Sequence, residues 1–286
     1  MGEAKVRKVG VVGCGVMGSG IAQVCAQSGY ETVVAEISEE LLRRGLGIIE
    51  DNLTREVEKG RLAEEKKREI LGRIKGTLKL EDFADCDLVI EAVVEKMEEK
   101  KKVFAALDQI CPPHTILGSN TSCLSITEMA MATKRPDKVL GIHFMNPVPV
   151  MRLVELVRTI LTSEETLNTA RSFAESLGKK VVVAGDAPGF IVNRLLIPFL
   201  FEAVRLYESG FASKEDIDAG IRLGLNHPMG PLALLDLIGL DTALYIGEAM
   251  YEEFKDEKFA PPPLLKRMVA AGWLGRKTGK GFYEYK

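Results

Sequence analysis

The chain has 286 residues, about twice the size of a typical domain, which favours two domains or one large domain. Hydrophobic residues make up 46% and charged residues 28%, and this composition excludes a wholly disordered or collagen-like protein. The 38 basic and 41 acidic residues leave a net charge of −3, which excludes the broad basic field of a nucleic-acid-binding protein. We therefore expect no nucleic-acid partner and a local site for any anionic ligand.

The five cysteines and three histidines form neither a CxxC pair nor a zinc-ligand spacing, so we predict no metal site. An odd number of cysteines without a CxxC pair favours a reduced, cytoplasmic location. Residues 9–30 carry no charge, as in a membrane helix, but six glycines and two glutamines dilute the apolar run. A buried strand and helix explain this segment better, and we expect no membrane partner.

The first elements in chain order predict a βαβ unit. Residues 6–12 are rich in β-branched residues, a glycine turn follows at 13–18, and a helical stretch leads to a second strand at 32–35. Helical stretches separate most of the further predicted strands, which lie at 88–90, 115–117, 139–142, 153–157 and 181–183. This alternation predicts an α/β Rossmann-type, doubly wound, mostly parallel sheet over residues 1–186.

Two regions are predicted to be helical. Residues 55–69 carry eleven charges around Gly60, which indicates a solvated helical hairpin near 50–75 with Gly60 as a left-handed cap. After residue 187 the pattern changes to helices at 193–208 and 214–223, and Ser213 is placed to cap the second of these. The only strand candidate there is 282–285. We therefore predict an all-α C-terminal domain over residues 187–286.

A glycine motif indicates a dinucleotide site. Gly13, Gly15 and Gly18 follow a strand and open a helix, with Val16 and Met17 between the last two, and Glu36 ends the next strand. The helix N-terminus would face the cofactor phosphates. Glu36 would accept hydrogen bonds from ribose hydroxyls and repel a 2′-phosphate, which favours NAD over NADP, although Ser38 keeps NADP use open. The alternative is a tight turn without a cofactor.

His143 and Glu155 form a candidate acid–base pair. His143 ends the predicted strand at 139–142, where ligands collect in open α/β sheets, and Glu155 lies within an otherwise apolar strand. A buried carboxylate needs a partner, and it would orient the imidazole and stabilise its charged form. The alternatives are a structural histidine and a glutamate that faces the sheet edge.

Several motifs in a fixed order resemble a known family. They are Gly-Cys-Gly-Val-Met-Gly at 13–18, Ser-Asn-Thr-Ser at 119–122, His-Phe-Met-Asn-Pro at 143–147, Gly-Phe-Ile-Val-Asn-Arg at 189–194 and Lys-Thr-Gly-Lys-Gly-Phe-Tyr at 277–283. Over essentially the whole chain, the sequence resembles the L-3-hydroxyacyl-CoA dehydrogenase family, and within it most closely the short-chain bacterial 3-hydroxybutyryl-CoA dehydrogenases.

The resemblance implies roles for individual residues. It makes His143 the catalytic base, with Glu155 as its partner, and places Ser122 and Asn193 at the substrate oxygens. The cofactor contacts that it implies are Ser122, Glu95, Lys100, Asn146 and Lys277. It also places Lys59 at the coenzyme A portion of an acyl-CoA substrate. A homodimer is expected through the C-terminal domain, because the segments 195–206 and 231–244 are apolar over more than one face.

Each implied role has a simpler alternative. Ser122 and Asn193 would serve as helix N-caps, and Glu95 and Lys100 as solvated helix charges. The favoured function is an NAD-dependent oxidoreductase that interconverts (S)-3-hydroxybutyryl-CoA, or a related short-chain ester, and acetoacetyl-CoA. Two alternatives stay open: a non-enzymatic nucleotide-binding relative, and a dehydrogenase of a free 3-hydroxy acid.

Overall fold

A computed structural model of the protein describes residues 6–285, which separate into two compact units on either side of the Asp186–Ala187 bond. The first unit alternates strands and helices. Its strands are β1 (Lys8–Val12), β2 (Glu31–Ala35), β3 (Ile74–Thr77), β4 (Leu88–Glu91), β5 (Ile116–Ser119), β6 (Val139–Phe144), β7 (Leu153–Arg158) and β8 (Lys180–Gly185). Its helices are α1 (Val16–Gln27), α2 (Glu39–Glu58), α3 (Glu64–Gly72), α4 (Met97–Ile110), α5 (Ile126–Ala130) and α6 (Glu164–Ser176).

The eight strands form one sheet in the order β3-β2-β1-β4-β5-β6-β7-β8. Neighbouring strands are parallel except for the antiparallel pair β6 and β7. Continuous burial of β4 and β6 shows that the sheet is covered on both faces, as expected for a doubly wound fold. The predicted Rossmann-type class is therefore confirmed. The carboxyl ends of the parallel strands β1, β2, β4, β5 and β6 meet at one edge, where such sheets bind ligands.

One strand and one hairpin refine the expected picture. Strand β3, which the sequence analysis missed, pairs in parallel with β2 at the end of the sheet. Helices α2 and α3 form the charged hairpin, and Gly60 between them has φ 69°, in the left-handed region. The hairpin starts at Glu39, earlier than the charge pattern indicated, because Ser38 caps α2 by accepting a hydrogen bond from the Leu41 N–H at 3.3 Å.

The second unit is helical. Its helices are α7 (Val192–Glu208), α8 (Lys214–Gly224), α9 (Pro231–Ile238), α10 (Leu240–Phe254) and α11 (Pro263–Ala270). Ser213 caps α8, as predicted, by accepting from the Asp216 N–H at 3.1 Å. Over residues 6–285, no helix is long and apolar enough to cross a membrane.

The strand considered at 282–285 was wrong. Within the described part of this segment there is only an isolated bridge between Lys280 and Glu284. The buried carboxylate of Asp236 replaces a strand partner, because it accepts hydrogen bonds from the N–H groups of Phe282 and Tyr283, both at 2.9 Å. A side chain therefore satisfies the backbone donors that a sheet would otherwise pair.

A buried lysine fixes the connection between β6 and β7 in the first unit. Lys179 Nζ donates hydrogen bonds to the carbonyl oxygens of Val148 at 2.6 Å and Met151 at 2.8 Å. Burial lowers the pKa of this amine. Both carbonyls lie in the turn that links the strands of His143 and Glu155, so Lys179 holds that turn in place.

Replacing Lys179 with methionine is expected to destabilise the first unit by about 1–3 kcal/mol, because the buried Val148 carbonyl and the partly buried Met151 carbonyl lose their donor while the apolar stem is kept. The measurement is urea denaturation of the cofactor-free protein. Lys180→Met is the matched control, since its side chain is exposed and its N–H still donates to the Arg152 carbonyl. Equal midpoints for the two variants would show that the amine does not support the turn.

Candidate active site

The glycine turn between β1 and α1 is closed on two sides and open on the third. Gly13 has φ 94°, and a Cβ there would lie 2.6 Å from the Ala92 carbonyl oxygen. A Cβ on Gly18 would lie 1.8 Å from the Gly13 oxygen, so helix and turn require both glycines. At Gly15, by contrast, a Cβ would meet nothing within 4 Å. The open side therefore has room for a ligand close to the backbone.

The N-terminus of α1 is suited to an anion. Gly15 is its N-cap residue and supplies no side-chain acceptor for the first N–H groups of the helix. Val16 is exposed and Met17 half-buried at this end. Uncapped N–H groups and the helix dipole favour a phosphate, so the turn fits the pyrophosphate of a dinucleotide. The nearby Cys14 thiol stays protonated, because burial and then the Glu36 carboxylate raise its pKa to about 12.

Glu36 connects the end of β2 to the glycine turn. One carboxylate oxygen accepts from the Cys14 N–H at 2.9 Å and the other from the Ile37 N–H at 2.8 Å. Each oxygen has a second lone pair, so the half-buried group can accept further hydrogen bonds from ribose hydroxyls. Its position at the strand end is the one that the dinucleotide motif predicts.

His143 and Glu155 face each other across the antiparallel pair β6 and β7. Glu155 is fully buried and His143 is 5% exposed. His143 Nδ1 lies 2.7 Å from Glu155 Oε2, and His143 Nε2 lies 3.1 Å from Ser122 Oγ. An ionised carboxylate can only accept a hydrogen bond, so His143 Nδ1 carries a proton and donates it to Glu155 in a hydrogen bond. His143 Nε2 is then available to take up or release a proton on the side of the ring that faces Ser122. This arrangement can perform general acid–base chemistry.

The loop after β5 carries Ser122 and is tied to β6. Asn120 Oδ1 accepts from the Phe144 N–H at 2.9 Å, directly after His143 in the chain. The alternative that Ser122 caps a helix was wrong, because α5 begins at Ile126 and Ser125 caps it. The hydroxyl of Ser122 is engaged with His143 instead.

Glu95 and Lys100 belong to one ion network, in which Lys100 is buried and Glu95 is partly buried. Lys100 is 1% exposed, and its Nζ lies 2.7 Å from Glu91 Oε1 and 3.1 Å from Glu95 Oε2. Glu95 Oε1 accepts from the Ser122 N–H at 3.0 Å and from the Thr121 hydroxyl. The alternative of two solvated charges is therefore wrong. Sequence reasoning missed Glu91, although an acidic residue in an apolar strand is the signal that singled out Glu155.

The remaining predicted site residues of the first unit are exposed. Asn146 follows β6 in the turn towards β7. Lys59 ends α2, its side chain is 56% exposed, and its Nζ lies 3.9 Å from Glu56 Oε1. The structure does not bring Lys59 to the His143 cluster by any hydrogen bond or ion pair among the described residues. The roles of Asn146 at the cofactor and of Lys59 at the coenzyme A portion of the substrate stay predictions.

In the second unit, Asn193 lies in the first turn of α7, whose N-cap is Ile191. The alternative that Asn193 caps this helix was therefore wrong. Lys277 lies in a short 3₁₀ turn, Arg276–Thr278, and its Nζ donates to Asp241 Oδ2 at 2.6 Å. Both residues stay candidates for substrate or cofactor contacts on the strength of the sequence alone.

No cluster of three or more metal-ligating side chains is found among residues 6–285. A groove of about 1150 Å³ lies at the amino ends of β1 and β2, where Lys8, Glu31 and Phe173 line it. This groove contains none of the predicted site residues. The groove is therefore not the candidate site.

Comparison with known proteins decides the family. Residues 8–187 match the model of the 3-hydroxyacyl-CoA dehydrogenase NAD binding domain, and residues 189–285 match that of the 3-hydroxyacyl-CoA dehydrogenase C-terminal domain. The chain belongs to the 3-hydroxyacyl-CoA dehydrogenase family. It is 50% identical to a 3-hydroxybutyryl-CoA dehydrogenase of Bradyrhizobium diazoefficiens over 99% of this chain and 97% of that one.

Solved structures from the family agree with this assignment. The crystal structure of Mycobacterium tuberculosis FadB2 superimposes with a TM-score of 0.97 at 50% identity, and covers 99% of this chain and 100% of that one. The (S)-3-hydroxybutyryl-CoA dehydrogenase PaaH1 of Ralstonia eutropha gives a TM-score of 0.95 at 46% identity, with the same two coverages. The resemblance that the sequence motifs indicated is thereby confirmed.

Proposed function

We propose that the protein is an NAD-dependent dehydrogenase that interconverts (S)-3-hydroxybutyryl-CoA, or a close short-chain homologue, and acetoacetyl-CoA. The observation that carries the proposal is the hydrogen-bonded chain Ser122–His143–Glu155. The open glycine turn and Glu36 follow strands at the same carboxyl edge of the sheet. The Bradyrhizobium and Ralstonia relatives, named for this reaction, support the substrate class.

The acid–base step is assigned to His143. In oxidation, Nε2 takes the proton of the C3 hydroxyl, and Glu155 stabilises the resulting imidazolium through Nδ1. In reduction, the same nitrogen returns the proton to the C3 oxygen. When the cofactor is bound, its nicotinamide would take up the hydride from C3 in oxidation and return it in reduction. Ser122 Oγ, on the Nε2 side of the ring, orients the C3 oxygen, and the family resemblance assigns a second substrate oxygen to Asn193.

NAD is proposed as the preferred cofactor. Glu36 places a carboxylate where a ribose hydroxyl would bind, and a 2′-phosphate there would meet a like charge. Ser38, the residue that kept NADP use open, is engaged as the N-cap of α2. Of the residues implied at the cofactor, Asn146 is placed near the nicotinamide by the resemblance, and Glu95 and Lys100 are implied as further cofactor contacts.

The proposed function is tested by following NADH absorbance with acetoacetyl-CoA, free acetoacetate and longer 3-ketoacyl-CoA esters in parallel. We expect acetoacetyl-CoA to give the highest kcat/KM. Faster turnover of free acetoacetate would favour the dehydrogenase of a free 3-hydroxy acid. NADH binding without oxidation of NADH by any of these compounds would favour the non-enzymatic relative.

A homodimer of the second unit is also proposed. Much of the apolar surface in segments 195–206 and 231–244 is buried in the core of that unit, but Leu195 stays 72% and Leu237 50% exposed. Symmetric pairing would bury such side chains. Light scattering at micromolar concentration should give about twice the 31.4 kDa chain mass, whereas a monomer would contradict the pairing. The cytoplasmic location stays a prediction of the sequence.

A further inference from the structure

Glu91, at the carboxyl end of β4, has a fully buried carboxylate that no role in the reaction has yet used. Its Oε1 accepts from Lys100 Nζ and from the Val93 N–H, both at 2.7 Å. Its Oε2 accepts from Ser119 Oγ at 2.6 Å. Three donors thus converge on one carboxylate next to the loop that carries Ser122.

Two hydrogen-bonded paths lead from Glu91 to this loop. In the first, Lys100 Nζ contacts Glu95 Oε2 at 3.1 Å, and Glu95 Oε1 holds the Ser122 N–H at 3.0 Å. In the second, Ser119 Oγ accepts from the Thr121 N–H at 3.2 Å, one residue before Ser122. Both paths therefore fix the backbone from which the Ser122 hydroxyl reaches His143 Nε2 at 3.1 Å.

The charges explain why the network has one arrangement. Lys100 Nζ lies between the carboxylates of Glu91 and Glu95 and is in ion-pair contact with both. Burying charged groups in this way adds little to stability compared with apolar packing, but it fixes the geometry of the groups that must be satisfied. Lys100 cannot move away from this position without losing its ion pair with one of the two carboxylates.

We propose that Glu91 is a positioning residue for Ser122, acting through Lys100 and Glu95 on one path and through Ser119 on the other. The proposal rests on the proposed dehydrogenase function. Glu91 itself touches neither His143 nor any open side of the site; it sets the direction of the Ser122 hydroxyl relative to His143 Nε2. If it were only a structural support, its loss would change stability and leave the Ser122–His143 contact intact.

Glu91→Gln is the test, because glutamine keeps the shape and one acceptor but removes the charge that holds Lys100. We expect kcat to fall by about 10–100-fold, the size of effect that misplacement of a reacting group by an ångström produces. Because Lys100 and Glu95 are also implied cofactor contacts, kcat is measured at saturating NADH, so that a change in NADH affinity does not contribute to it. Glu99→Gln is the matched control, since Glu99 lies on the exposed side of α4 and pairs only with Lys102 at 2.8 Å in the described residues.

A second readout does not depend on turnover. The chain has only three histidines, so the ring resonances of His143 can be separated by NMR from those of His114 and His227. Glu91→Gln should shift the His143 resonances alone, and Glu99→Gln should shift none. Should Glu91→Gln not fold, Ser119→Ala breaks only the second path and should give a smaller kcat loss with the same His143 shift.

The outcomes separate the inference from the function on which it rests. Wild-type kcat at saturating NADH in the Glu91→Gln variant overturns the positioning role, and so do unchanged His143 resonances in that variant. If the wild-type protein itself fails to oxidise NADH with any 3-ketoacyl-CoA ester, the proposed function fails. In that case the His143 resonances decide: a selective shift retains the link from Glu91 to Ser122 and His143, and no shift refutes it.

Discussion

Replacing His143 with glutamine is expected to lower kcat by about 10²–10⁴-fold, the usual contribution of a general acid–base group. NADH should still bind with nearly unchanged affinity, because the imidazole is engaged with Glu155 and Ser122 and not with the glycine turn. Glutamine retains a polar group in the buried site but cannot exchange a proton near neutral pH. The measurement is steady-state kinetics with acetoacetyl-CoA beside fluorescence titration with NADH.

The control for this variant is His114→Gln. His114 is half-exposed on the side chain, and its Nε2 lies 3.2 Å from Asp87 Oδ1, away from the carboxyl ends of the strands. Its replacement should leave kcat at the wild-type value. Near-normal turnover in His143→Gln would contradict the assignment of the proton to this residue.

The wild-type protein is expected to bind NADH at least about tenfold more tightly than NADPH, which corresponds to about 1.4 kcal/mol. The Glu36 carboxylate would lie against the 2′-phosphate, and two negative charges at that distance repel. Glu36→Gln should bring the ratio of the NADPH and NADH dissociation constants closer to one. It should also weaken NADH somewhat, because an amide can accept from only one of the two N–H groups that Glu36 now holds.

Glu31→Gln is the matched control for cofactor choice. Glu31 lies at the other end of β2, where its side chain is exposed, so the same change of charge occurs on the same strand. This variant should keep the wild-type ratio of the two affinities. Equal affinities for NADH and NADPH in the wild-type protein at low ionic strength would show that Glu36 does not face the ribose.

The buried strands could be predicted because parallel strands covered on both faces are continuous apolar runs, as in β4 and β6. Strand β3 could not, since Ile-Lys-Gly-Thr carries a charge and a glycine, and it pairs on one side only. The segment 282–285 had a strand-like composition, but the partner of its N–H groups is Asp236, which is 46 residues distant in the chain from Phe282. Only the folded chain shows such a pairing.

The same distinction applies to the site. An acidic residue in an apolar strand was enough to pair Glu155 with His143, because the two flank a short connection. The burial of Lys100 was harder to predict, because α4 contains three consecutive lysines at 100–102 and the sequence does not show which one is buried. Burial of that lysine depends on Glu91 and Glu95, whose carboxylates converge on it in space. Glu91 itself was detectable from its strand and was overlooked.

The most direct test of the proposed reaction follows the hydrogen that is transferred. The wild-type protein is incubated with acetoacetyl-CoA and NADH that carries deuterium at C4 of the nicotinamide, on each face in turn. We expect (S)-3-hydroxybutyryl-CoA with deuterium at C3 from one of the two labelled forms and unlabelled product from the other. Absence of product, or product without deuterium at C3 from either form, would contradict hydride transfer between NADH and C3 in this protein.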